Sequence, residues 1–317
     1  MRAMYLLDPG RRDLLRPAVD AGVDTVITKA AAVTGELAGA CARLGIRLLG
    51  SVACFSDHAE PAERRREDLR PVDQHGRVWE PMEWYHGIVP TDSDYVDDLV
   101  ERCAALAGRP LDGLVLDFIR WPLHWELELR DGAVPRQSSF DARTLALFAA
   151  RHPGAVAGRG PQWTGFRCEI ITDVVRRISQ RVRPGTWLGA FVVPAEGPRR
   201  RELTGQDIGR WRPWLDAVLP MTYHAILRQP PELIAARSRE VTAAFGRPVT
   251  PMVQVTASHA VSRGYDWGPP ITDTDFATAV QLAGESWCLF PGEGMDAGRW
   301  HVVSQNTDRT GKREAQG

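Results

Sequence analysis

The sequence lacks most of the signatures that declare a function at once. Its five cysteines, Cys41, Cys54, Cys103, Cys168 and Cys288, are odd in number, scattered and free of any C-x-x-C spacing. That pattern excludes a disulfide framework and a cysteine zinc site, and it predicts reduced thiols, mostly buried as small apolar groups. Neither sign of charge dominates: 39 Lys and Arg stand against 40 Asp and Glu, a net charge of −1. There is thus no electrostatic case for nucleic acid or an anionic membrane as a partner. Two arginine triplets, Arg64-Arg65-Arg66 and Arg199-Arg200-Arg201, are flanked by acids and read as solvated loop. No apolar run approaches ~18 residues, and the start, MRAMYLLDPGRR, has no basic-then-apolar leader. A cytoplasmic protein is expected, or a secreted one if a leader has been removed. G-x-S-x-G, H-E-x-x-H and a G-x-G-x-x-G after the first strand are all missing. His58, His86, His124 and His224 show no ligand spacing, so neither a metal nor a cofactor is expected.

What the chain has is tryptophan, eleven in 317 residues, with 44% hydrophobic residues to build a core. Trp79, Trp84, Trp121, Trp125, Trp267, Trp287 and Trp300 fall at predicted strand ends or in loops. Such rings either stack on the apolar faces of sugars or cover a large core.

The apolar periodicity alternates strand and helix along the whole chain. Strands are predicted over residues 3–7, 23–28, 46–55, 114–116, 187–194, 217–223, 249–255 and 287–290. Helices are predicted over residues 11–21, 34–44, from 92 to 107, 139–152, 162–182, 205–214, 230–245, 273–283 and 294–303. Eight such units predict a closed (β/α)8 TIM barrel, an α/β fold in one domain over residues 1–305, with residues 306–317 a polar, frayed tail. Two excursions interrupt the alternation, residues 56–92 after the third strand and 123–138 after the fourth. Excursions of that length are usually functional or disordered, and the aromatic and histidine content of the first favours an ordered loop over the top of the barrel.

The stretch LDGLVLDFIRWP, Leu111 to Pro122, organises the rest. Leu114-Val115-Leu116 suits a strand buried on both faces, and a carboxylate at its downstream end is expensive to bury unless paired or used. In a (β/α)8 barrel active sites lie at that end of the strands. The rule collects Asp8, Lys29, Asp57, His58, Asp117, Arg120, Trp121, Glu196, Tyr223, His224, Gln254 and Glu293. Alternation makes Asp117 the inward acid of strand four. An ion pair with Arg120 is the alternative role for it. Asp112 and Asp216 precede their strands and belong to the opposite face. With no nucleophile motif and no phosphate cradle, two-carboxylate chemistry remains, as in glycoside hydrolysis.

Five stretches then carry a resemblance: DGLVLDFIRWP, W-x-x-F-R from Trp163 to Arg167, GQD with a following Trp from Gly205 to Trp211, LDAVLPMTYH, and IVPTDSDYVDDLVERC. Over about residues 45–225, with the last of these leading into strand four, the chain resembles the glycoside-hydrolase-like (β/α)8 barrel family of bacterial proteins, whose substrates are poorly known. The resemblance implies a sugar-binding cleft with Asp117 as the catalytic acid and Arg120, Arg167, Tyr223 and His224 lining it. The chain departs from the chitinase-like DGxDxDxE pattern, because Val115 and Ile119 replace its inner Asp and terminal Glu. Substrate-assisted chemistry of that kind is therefore not implied.

The second carboxylate is open between Glu293, Glu196 and Glu126, with Glu293 preferred because PGEGM sets a rigid turn after strand eight. Trp121 and Tyr223 are expected as a sugar platform, and Asp8, Lys29, His58 and Gln254 as further binding residues. The function expected is hydrolysis of a small glycoside or oligosaccharide. A non-catalytic carbohydrate-binding barrel is the alternative, and a metal- or Lys29-assisted lyase or aldolase a third.

Overall fold

The computed structural model describes residues 1–182, 184–257 and 267–314, with 308–314 described for their backbone alone. Eight parallel strands form one sheet: β1 Arg2–Leu6, β2 Thr25–Lys29, β3 Arg47–Ala53, β4 Gly113–Asp117, β5 Trp187–Val192, β6 Ala217–Pro220, β7 Met252–Gln254 and β8 Trp287–Phe290. Their order is β6-β5-β4-β3-β2-β1-β8-β7. The sheet therefore curls round until β6 faces β7. No ladder joins that pair, and the seam is bridged instead by Thr250 N–H donating to Val218 O (3.3 Å) and Thr222 Oγ1 donating to Met252 O (2.7 Å). All eight predicted strands are present. The sixth and seventh are shorter than expected because they flank this unpaired seam.

One inward side chain from every strand fills the barrel: Tyr5, Ile27, Leu49, Val115, Phe191, Leu219, Met252 and Cys288 are all buried. The interior is thus a packed plug, as parallel barrels require. Two residues further along β2 and β4 come Lys29 and Asp117, so the alternation that buries Ile27 and Val115 carries these two groups to the mouth.

The outer face is covered by helices α1 Leu15–Asp20, α2 Gly35–Leu44, α3 Ser93–Ala107, α5 Ala142–Arg151, α6 Gly160–Arg181, α7 Gly197–Thr204, α8 Ile208–Trp211, α9 Glu232–Phe245, α10 Asp273–Ala283 and α11 Ala297–Glu314, while the short α4 Trp125–Glu128 belongs to the excursion after β4. Caps fix where several begin. Thr34 Oγ1 accepts from Leu37 N, Asp92 Oδ1 from Tyr95 N, Asp141 Oδ1 from Thr144 N and Thr272 Oγ1 from Asp275 N. The stripe Phe166, Ile170, Ile171, Val174, Val175 and Ile178 buries α6 against the sheet, as its spacing predicts.

Asp112 and Asp216 do sit at the opposite end, each accepting from the second N–H of a neighbouring strand, at Leu48 (2.7 Å) and Leu188 (2.8 Å). Asp24 likewise accepts from Arg2 N, the first of β1. All five cysteines are buried and unpaired. Among the described residues no helix is long and apolar enough to cross a membrane.

Three expectations change. Arg199 to Arg201 lie in α7, and Arg200 is buried and bonded to Glu240 (3.1 Å) and Ala195 O, so this triplet is not a solvated loop. The helix predicted over residues 205–214 shrinks to α8, because Gly205 takes a left-handed φ of 69° that ends α7. The tail expected from residue 306 is helical to Glu314, since Trp300 and Val303 anchor α11 on the barrel and Thr307 Oγ1 reaches Ala21 O. Residues 315–317 lie outside the described residues.

Candidate active site

A cavity of about 440 Å³ opens at the downstream ends of the strands. Its chemistry begins where β4 ends. Asp117 is followed by Phe118 at φ 49°, a left-handed conformation unusual for an aromatic residue. This kink turns Phe118 N–H back onto Asp117 Oδ1 (2.8 Å) and directs the following chain away from the barrel axis. Strain of this kind concentrates at sites of function. Burial pushes the Asp117 carboxyl up to about 6, against the Phe118 N–H and the positive charges of Arg120 and Lys29.

The second acid comes from the excursion after β4. The short helix α4 presents Glu126 into the same cavity. Burial pushes its carboxyl up to about 7, the negative charges of Asp117 and Glu128 add to the rise, and Arg120 opposes it. Asp117 and Glu126 therefore form an interacting pair in one low-dielectric pocket. The helix that carries Glu126 is held from behind: Glu128 accepts from His124 N (3.1 Å) and pairs with Arg136 (3.0 Å). The Arg136 guanidinium also bonds His124 Nδ1 (2.9 Å) and lies over the Trp79 ring (4.4 Å).

Aromatic rings make much of the wall. Tyr223 stacks on Phe290 (4.9 Å, 15°), Phe290 meets Tyr5 edge-on (5.5 Å), and Trp125 tilts against Tyr223 (5.7 Å). Trp84 and Trp267 form a second pair at 5.3 Å. Burial raises the Tyr5 and Tyr223 hydroxyls, which stay protonated, and Asp117 adds to the rise in both. His58 is pushed down to about 4 by burial and by the charge of Lys29 among others, so it is neutral at pH 7.

Of the residues singled out from the sequence, the structure brings together Asp117, Glu126, Lys29, His58 and Tyr223 in the cavity. Arg120 sits behind it, buried, its guanidinium over the Tyr85 and Phe118 rings and bonded to Leu123 O (2.8 Å). It makes no ion pair with Asp117 among the described residues and acts on both acids through its charge.

The others lie elsewhere. Glu293 accepts from Asp8 N (2.8 Å), because the turn after β8 folds it over the β1 loop rather than into the pocket. Asp8 itself is exposed and accepts from Gly10 N. Glu196 is exposed at the start of α7, 3.4 Å from Arg237, on a separate cleft. Asp57 is a loop staple, paired with buried Arg70 (2.9 Å) and accepting from Arg66 N. Gln254 spends its amide on Ile226 N and Thr256 O. His224 is buried beside Arg228 and Asp275, lining another cleft.

Trp121 and Arg167 are core groups. Past the Phe118 kink the strand alternation no longer applies, and Trp121 turns outward, fully buried, with Nε1–H donating to Arg167 O (3.0 Å). Arg167 stacks on its ring and donates to the carbonyls of Glu202 and Leu203, tying α6 to α7. Trp121→Ala is accordingly expected to cost about 3–5 kcal/mol of stability, a core-cavity penalty read by urea unfolding. A sugar platform would instead lose affinity with stability intact.

Strand-end counting does not reach Glu126, the third candidate for the second carboxylate, or Trp84, Trp125 and Trp267 among the loop tryptophans; all lie in the excursions or loops. Their signal was the density of Trp and Glu in loops too long to be connectors. Among the described residues no group of three or more His, Cys, Asp or Glu is placed to hold a metal ion.

No protein-family model matches the chain, and neither does any curated protein. Solved structures do. The glycoside hydrolase domain of PgaB (BpsB) from Bordetella bronchiseptica superposes with a TM-score of 0.65 at 13% identity, covering 95% of this chain and 97% of that one. A polyextremophilic β-galactosidase from the Antarctic haloarchaeon Halorubrum lacusprofundi gives 0.66 at 11% identity, over 98% of this chain and 58% of that one, so the chain spans little more than half of that enzyme. The glycoside hydrolase domain of PelA from Pseudomonas aeruginosa gives 0.52 at 13%, over 93% and 95%. At such identities the likeness is one of fold: this chain has the (β/α)8 barrel architecture of known glycoside hydrolase domains.

Proposed function

We propose that the protein is a glycoside hydrolase in which Asp117 and Glu126 divide the work. The observation that carries this is two interacting carboxylates, raised to about 6 and about 7, in one aromatic-walled cavity. Two acids whose environments separate their pKa values are assigned opposite roles. Glu126, the weaker acid, keeps its proton near neutrality and donates it to the departing glycosidic oxygen. Asp117, held anionic by Lys29 and Arg120, faces the positive charge that grows at the anomeric carbon. The cavity lies at the lower end of the range for small-ligand sites, which suits a short glycoside or the end of an oligosaccharide. The barrel neighbours named for glycoside hydrolysis support the reading.

The test is a panel of aryl glycosides and oligosaccharides followed across pH. Catalysis needs Asp117 ionised and Glu126 protonated. For the pair, kcat/KM is expected to rise through about 6, fall through about 7 and peak near pH 6.5, a narrow bell. No turnover anywhere on the panel, or a profile flat from pH 5 to 8, rejects the assignment. Calorimetric binding of an oligosaccharide without turnover would leave a carbohydrate-binding barrel.

A further inference from the structure

The mouth of the cavity is divided in charge. Asp117 and Glu126 occupy the side of β4, and Lys29 stands at the end of β2. Lys29 is level with Ser51 of β3, and Asp117 is level with Ala53 of the same strand. One strand therefore separates the two residues, which are also offset by two positions along it, roughly 12 Å between their backbones at ~4.8 Å per strand and ~3.3 Å per residue. Half-buried in the lining, Lys29 makes no hydrogen bond or ion pair among the described residues. The other cation on that side, Arg102, is offset by Glu60 at 4.0 Å and donates to Ala53 O. Lys29 is thus the cation on its own side that no nearby acid neutralises.

His58 supplies a second donor there. Its Nδ1 lies 3.1 Å from Ser56 Oγ, and that oxygen already accepts from His86 N (3.1 Å). When the Ser56 O–H donates to His58 Nδ1, the proton of the neutral ring sits on Nε2. A cavity-lining His58 with Nε2–H, next to an ammonium, forms a wall of donors facing the acids.

We propose that this wall is a subsite for an anionic substituent of the sugar, and that the substrate class is an acidic glycoside, bearing a uronate carboxylate or a sulfate ester. The anion would bridge Lys29 Nζ and His58 Nε2–H while the anomeric carbon lies at Asp117. In this arrangement a single pyranose with its charged arm lies between the two side chains. The proposal rests on the hydrolase assignment only for where the anomeric carbon sits.

Calorimetry with glucuronate, galacturonate and glucose 6-sulfate, each beside its neutral parent sugar, tests the subsite. Nitrophenyl glucuronide and galacturonide, beside the neutral glycosides, test turnover. A charge-assisted contact predicts that an acidic sugar binds ~10-fold or more tightly than its parent. Lys29→Met should bring that ratio toward one, and Lys29→Arg should keep most of it. The carboxylate and sulfate arms show which anion the wall takes. Equal or weaker binding of every acidic sugar, or a ratio unmoved by Lys29→Met, overturns the proposal. Neutral glycosides cleaved with no acidic preference would leave the hydrolase without the subsite. Selective acidic binding with no turnover of any glycoside would leave the subsite without the hydrolase.

Discussion

Asp117→Asn is expected to reduce kcat by ~10³-fold or more, because it removes the charge that meets the developing cation while keeping the shape of the side chain. The same change is expected to stabilise the fold. Asp117 has a folded-state pKa of about 6 against an ordinary 3.8, so folding disfavours its ionised form. The penalty is absent below the ordinary value, grows as pH rises through about 6, and is fully present above it. The difference between those two values sets an upper bound of about 3 kcal/mol, and the water that enters the cavity screens part of that. A gain of about 1–2 kcal/mol at pH 8 corresponds to a few degrees in melting temperature for a chain of this size. Near pH 4 wild type and variant should melt together. Thermal melts at both pH values, beside steady-state rates, check the two halves. A variant that is inactive and less stable at pH 8 would mark Asp117 as a structural acid instead.

The frame of the site was legible because its physics is local. Leu114-Val115-Leu116 suits a strand buried on both faces, and strand alternation then places Asp117 inward at the mouth. The same alternation placed Lys29. It failed at the residue after Asp117: Phe118 leaves the β region, and nothing in DFIRWP marks a left-handed aromatic. Trp121 and Arg120 were therefore assigned to the cleft when one packs under α6 and the other lies behind the acids. Glu293 and Glu196 failed for another reason. A residue just past a strand can turn either way, and what decides is a long-range bond, Asp8 N–H in one case and Arg237 in the other. Glu126 was harder still. Its position depends on α4, and α4 depends on Arg136 reaching back to Glu128, His124 and Trp79. Such a network has no periodicity to read. The GQD motif, by contrast, has a structural meaning that sequence could not supply: Gln206 accepts from Val193 N and donates toward Ile119 O and Phe191 O, suturing the strand-four loop to β5.

Glu126→Gln is the change that separates an acid catalyst from a merely buried carboxyl. Gln keeps the size and hydrogen bonding of the protonated side chain but has no proton to give. Its effect must therefore depend on how much the leaving group needs one. With a nitrophenolate leaving group, whose conjugate acid is strong, kcat is expected to fall modestly, by ~10-fold. With an alkyl or sugar leaving group the loss should reach ~10³-fold, within the range for general acid catalysis. The descending limb of the pH profile, assigned to Glu126 at about 7, should vanish, leaving a rate that rises through the ionisation of Asp117 and stays level above it. Because Glu126 is also raised by its neighbour, Asp117→Asn should lower the Glu126 pKa, which carboxylate-region infrared difference spectra in the folded variant can follow. An equal loss for good and poor leaving groups, with the alkaline limb retained, would assign the proton to another group. It would leave Glu126 the task of holding Asp117 in its low-dielectric pocket.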